Sequence, residues 1–142
     1  MIRARDGVYR GKGEMLTISI RVIPHHKQRY PTVGDWIWSG DELLILVSDL
    51  GDWKKEALVA HHELTEALLA RSRGITTQMV DDFDMRFEEE RAKGRHLTCV
   101  EPGDDRHCPI RKEHFFATSL ERLLCAELDI DWFEYEKQIE GL

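Results

Sequence analysis

Leu43-Leu44-Ile45-Leu46-Val47 and, a short way downstream, Ala60-His61-His62-Glu63-Leu64-Thr65-Glu66-Ala67-Leu68-Leu69 are the stretches on which the reading of this chain turns. The first is apolar on both faces, as the central strand of a sheet must be. Trp36-Ile37-Trp38 precedes it across Ser39-Gly40-Asp41-Glu42, the outline of a β-hairpin with a four-residue turn. Ser48-Asp49-Leu50-Gly51-Asp52 then breaks the strand and offers Asp52 as the N-cap of a helix from about Trp53 to Ser72, with Arg71 and Arg73 near its C-terminal end and Gly74 as its stop. On that helix His62 and Glu66 are four residues apart, so an imidazole and a carboxylate aim at one point. Glu63 lies about 100° further round, where it can flank an ion held by the other two without binding it.

Upstream, Leu16, Ile18, Ile20 and Val22 alternate with Thr17, Ser19 and Arg21, a strand with one face buried and one wet. Pro24 ends it and His25-His26-Lys27-Gln28-Arg29-Tyr30-Pro31 is a basic loop. Residues 1–14, with Gly7, Gly11 and Gly13, read as a loose basic arm. Downstream, a helix from about Thr77 to Lys93 carries Val80, Phe83 and Phe87 on one stripe. Residues 94–111 form a long loop, of the kind that in a compact domain usually serves a function. A further helix, about Lys112 to Leu128, sets His114, Ala117, Glu121, Leu124 and Leu128 on one stripe, and Trp132 to Ile139 is a short amphipathic tail. The expectation is one α+β domain over residues 1–142, a small N-terminal antiparallel sheet packed on three helices.

Apolar residues at 42%, with four Trp and five Phe, exclude a disordered chain. No apolar run approaches a bilayer span and no signal-peptide core is visible, which points to the cytoplasm and to no membrane partner. Three cysteines, Cys99, Cys108 and Cys125, then read as free thiols. The net charge of −7 is uneven: residues 1–31 hold seven Lys/Arg against two acids, and the remainder 13 against 25. A basic arm on an acidic body suits nucleic acid, its own body or a neighbouring subunit, and no stacking or helix-turn-helix pattern favours nucleic acid.

Zinc in hydrolases takes three protein ligands and a water. His62 and Glu66 give two. His114, polar on an otherwise mostly apolar stripe, wants a partner and is the expected third. Glu121 is seven residues beyond His114, about 10 Å along the helix, too far to share the ion easily, so its expected role is to orient a ligand. The His62-Glu63-x-x-Glu66 order resembles the His-Glu-x-x-His signature of zinc peptidases (zincins), with glutamate replacing the second histidine. The hairpin running into that helix, and a later helix returning a third ligand, resemble a minimal zincin. That resemblance implies Zn²⁺ on His62, Glu66 and His114, Glu63 as the base that takes a proton from bound water, and hydrolysis of an amide or peptide bond in a peptide or small-molecule substrate.

Three other readings compete. Glu63-x-x-Glu66 with Asp81-x-x-Asp84 resembles the paired acidic motifs of all-α, MazG-like nucleotide pyrophosphohydrolases, which implies Mg²⁺ on carboxylates against a triphosphate. His96, Cys99, His107 and Cys108 have ligand types that suit a structural zinc, but in a spacing unlike the common knuckles. Finally, an acidic body fits a non-catalytic protein that occupies a basic protein partner, as small acidic phage and mobile-element proteins do, and the chain as a whole resembles short proteins of bacterial and phage genomes.

Overall fold

The structure is a computed structural model that describes residues 15–97 and 100–142. The expected arm, residues 1–14, lies outside the described residues, as do Thr98 and Cys99. Three strands, β1 (Thr17–Ile23), β2 (Gly34–Ser39) and β3 (Glu42–Ser48), precede four helices, α1 (Trp53–Ser72), α2 (Thr77–Ala92), α3 (Arg111–Glu127) and α4 (Trp132–Glu140). The fold is α+β. β3 is central, in the order β1-β3-β2, and its Leu43, Ile45 and Val47 are at most 1% exposed.

The sheet is mixed rather than antiparallel: β2 pairs antiparallel with β3, and β1 parallel with it. The cause is strand order. Residues 24–33 cross over one end of β3 and the hairpin then turns back, so two reversals return β3 to the direction of β1. Ser48 at that end pins the crossing loop, its Oγ lying 2.9 Å from His25 Nδ1 and 3.2 Å from Gln28 Nε2. The hairpin turn is also tighter than expected, Gly40-Asp41 alone, with Gly40 at φ +59°, where a side chain would be strained.

A second correction concerns β1. Ile18, Ile20 and Val22 stand beside Leu43, Ile45 and Val47, on the same face of the sheet, yet with Leu16 they are 40–54% exposed rather than buried. Alternation put them on the right face, but α1 packs across β3 and β2 and stops short of β1.

α1 starts where local chemistry dictates, with Asp52 accepting from Lys54 N–H at 2.9 Å, and Gly74 follows its end at φ +72°. α3 packs along α1. The tail is a fourth helix, which the count of three missed. Nine residues are too few to hold a helix alone. α4 is fixed by packing, with Tyr135 1% exposed and Gln138 bonded to Lys55 Nζ (2.7 Å) and Leu50 O (3.1 Å). Among the described residues no helix is long and apolar enough to cross a membrane.

Candidate metal centre

The seam between α1 and α3 should be apolar by position, but three of its buried residues are His62, Glu66 and His114, each 8% exposed or less. His62 Nε2 is 2.8 Å from Glu66 Oε2, His114 Nδ1 is 2.7 Å from the same oxygen, and the two nitrogens are 3.1 Å apart. Ligands about 2.0–2.1 Å from a tetrahedral zinc stand about 3.3 Å from one another, so this triangle opens by only a few tenths of an ångström to take one.

What the far atom of each residue touches decides what the near atoms present. His62 Nδ1 lies 2.7 Å from Glu121 Oε1, and the other oxygen of Glu121 accepts the Tyr135 hydroxyl at 2.5 Å. Glu121 therefore lies between the Tyr135 hydroxyl and the His62 ring, one oxygen toward each. His114 Nε2 faces Glu101 Oε2 at 3.3 Å and Asp104 Oδ1 at 3.4 Å. Glu66 Oε1 accepts from Trp36 Nε1 at 3.3 Å. A neutral imidazole has one N–H and an imidazolium two, and each ring nitrogen of His62 and His114 has a carboxylate oxygen beside it. As imidazolium both rings donate inward to the one Glu66 oxygen; a single cation in place of those two protons would meet one lone pair from each ring and one from Glu66.

The electrostatics favour positive charge at this point. Burial pulls the His62 imidazole down, yet Glu66, Glu121 and Glu63 outweigh it and hold it well above its ordinary value. At His114 burial is likewise overcome by Asp104, Glu101 and Glu66. Burial pushes Glu66 up, but His62 and His114 bring it down to about 2. Glu63 goes the other way, raised well above the usual carboxylate range by burial and then by Glu66.

Glu63 turns from the triangle toward β2, where a Cβ at Gly34 would come within 2.6 Å of its Oε1, so glycine is what leaves room for it. Across the site, the turn Pro102–Asp104 lies against the His114 ring, and a Cβ on Gly103 would stand 2.5 Å from it. The long loop thus serves the centre through Glu101, Gly103 and Asp104. A cavity of about 590 Å³ reaches all these groups.

The structure brings His62, Glu66 and His114 together, with Glu63 beside them and Glu121 behind His62. Among the described residues it does not bring the other candidates into a cluster; Cys99 lies outside them. Asp81 is bonded to Arg29 at 2.9 and 3.0 Å, and Asp84 accepts from Tyr30 at 3.0 Å; burial raises Asp84 to about 7. Among the described residues the groups placed to hold a metal are His62/Glu66/His114 and Glu101/Asp104/His114, and neither contains Asp81 or Asp84. His96 stacks on Phe87 at 4.0 Å and bonds Glu90, and burial pushes the Cys108 thiol up to about 12, the state of an inert thiol.

Sequence reading missed Trp36, Tyr135, Glu101 and Asp104. A buried Trp or Tyr needs a partner for its polar atom, which is a signal for the first two without saying where the partner lies. The loop acids read only as turn formers. No family model matches the chain, and no curated protein and no solved structure matches it.

Proposed function

We propose that this protein binds one zinc ion through His62, Glu66 and His114 and uses it to hydrolyse an amide bond. The observation that supports this most is the buried convergence of His62 Nε2, Glu66 Oε2 and His114 Nδ1, 2.7 to 3.1 Å from one another, with a carboxylate beside the outer nitrogen of each ring. The composition, two imidazoles and a carboxylate, is that of a hydrolytic zinc site with a position left for water. Zinc held by these residues would supply the polarisation of a carbonyl and the acidification of water. The chain's own part is then clear. Trp36, Glu121 and the Glu101/Asp104 pair fix the three ligands. Glu63 takes the proton of the attacking water and passes it to the leaving nitrogen as the C–N bond breaks, the water oxygen remaining on the carbonyl carbon.

The fold favours a compact substrate over an extended polypeptide. α2 lies against the outer edge of β2, where Thr77 Oγ1 accepts Trp38 N–H at 3.1 Å and Thr32 Oγ1 takes Gly34 O at 2.6 Å. A peptide adding to that edge, as the zincin likeness implies, meets occupied backbone groups. The Mg²⁺–nucleotide alternative has less support, because Arg29 already occupies Asp81. Free Cys108 and Cys125 fit a reducing, cytoplasmic setting.

Elemental analysis of the purified protein tests the reading. About one equivalent of zinc is expected, absent from His62→Ala and His114→Ala and retained in His61→Ala, whose ring is exposed on the same helix. Zinc retained in all three variants would sink the assignment. Glu63→Gln should keep its zinc and lose hydrolysis by at least about a hundredfold.

A further inference from the structure

The cavity around the triangle is charged in one sense. Eleven carboxylates line it, against Arg91 as its one Lys/Arg side chain among the described residues. Arg29, just behind the wall, bridges Asp35 and Asp81, and Arg91 lies 3.3 Å from Glu88. Eight acids remain, and a divalent ion on the triangle offsets two charges.

An acidic surface alone is commonplace, but one member here is not a surface group. Glu63 is 9% exposed, opens into the cavity over Gly34, and accepts no hydrogen bond or ion pair from any described residue. Its oxygens open to the cavity with no protein donor on them, so a donor on a bound ligand is what would complete them. Asp84 lines the same wall, with Tyr30 between it and Asp35. At the other side Glu101 and Asp104, 55% and 52% exposed, flank the entrance beside His114. A ligand approaching the metal position therefore passes carboxylates first and meets carboxylates when seated.

Resting on the zinc reading above, we propose that the substrate carries a cationic group, an ammonium or guanidinium, close to the bond that is cut, and that the Asp84 wall and the Glu101/Asp104 rim select it. Anionic substrates, phosphate esters among them, are repelled by the same groups. Charge-assisted hydrogen bonds of this kind discriminate by charge, most at the part-buried Asp84 and least at the exposed rim, where salt screens them.

Three chelating probes with one zinc-binding head and tails of different charge test this on the zinc-loaded full chain by calorimetry: 6-aminohexanohydroxamic acid, hexanohydroxamic acid and adipic monohydroxamate. The amine is expected to bind about tenfold or more tightly than the neutral probe, and the acid more weakly than either by a similar factor. Asp84→Asn should reduce the preference for the amine while zinc content and affinity for the neutral probe hold. Equal affinities for the three, or no binding of any by protein that carries its zinc, overturns the inference and leaves the metal reading standing. A chain that retains no zinc overturns both.

Discussion

Two clusters of carboxylates on one cavity wall, one part-exposed and one buried, solve the same problem differently. At the first, Arg29 reaches Asp35 through Nε (2.7 Å) and Nη2 (3.0 Å), and Asp81 through Nη1 (2.9 Å) and Nη2 (3.0 Å), so a cation encoded in the chain satisfies two carboxylates in the fork geometry that guanidinium supplies. At the second, Glu66 meets two imidazoles on one oxygen, and no lysine or arginine is paired with it among the described residues. The first cluster is complete as translated. The second draws its positive charge from two titratable rings rather than from a permanent cation, which is the difference between a fixed ion pair and a cluster whose protons a metal could replace.

The largest effect that separates them is metal removal. If the centre holds zinc, chelation should lower stability by about 4 kcal/mol when free zinc had stood about a thousandfold above Kd, a fall of roughly 10 °C in Tm for a chain of this length. Calorimetry with and without a chelator reads this. Arg29→Met should come next, losing about 2–4 kcal/mol by leaving Asp35, 3% exposed, without its cation; the lower end is expected because 32% of the arginine side chain is in solvent. Its zinc content should be unchanged, and chelation should lower its Tm by the same increment as in the parent. A variant that lost zinc along with the arginine would show that the clusters are one unit and dissolve the contrast.

How far each cluster could be read from the chain follows from the distance over which its causes act. α1 was legible because its cap, Asp52, its stop, Gly74, and the four-residue spacing of His62 and Glu66 are all local. His114 was legible as a polar residue in an apolar period. The direction of β1 was not, because it depends on which strand is inserted between which. Nor was the exposure of Ile18, Ile20 and Val22, since alternation names a face and not how far the helix layer extends over it. The partners of the ligands were the least legible. Tyr135 reaches Glu121 from a helix whose position depends on the rest of the fold, and Glu101 and Asp104 reach His114 only because Gly103 lets the turn sit against its ring.

Those partners are where the contrast can be sharpened by smaller effects. Tyr135→Phe keeps the ring that α4 packs with and removes only the hydroxyl on Glu121. If Glu121 fixes the His62 tautomer, zinc affinity should fall about tenfold, toward a hundredfold at most, in competition with a chelating dye. Arg29 and its aspartates should be indifferent to the change. A Tyr135→Phe chain with unaltered zinc affinity and lowered Tm would make the hydroxyl a packing feature of α4.

Asp84 lies at the border of the two clusters, and its protonation gives the finest test. Burial, first among the causes, raises its folded value to about 7 from 3.8, with the Tyr30 hydroxyl pulling the other way. Below about pH 4 the carboxyl is neutral in both folded and unfolded chains. Between about 4 and 7 the unfolded chain ionises first, so stability drains as pH rises, and above 7 the loss is complete. The full shift corresponds to about 4 kcal/mol; since Asp84 keeps some contact with solvent, about half is expected. Asparagine has no proton to lose and still accepts from Tyr30. Asp84→Asn should therefore be close to the parent at pH 4 and about 2 kcal/mol more stable at pH 8, read as a gap between denaturant midpoints that opens with pH. A gap independent of pH would mean that Asp84 is ionised at neutrality with its charge already answered, as Asp81 is by Arg29, and would move it from the open cluster to the closed one.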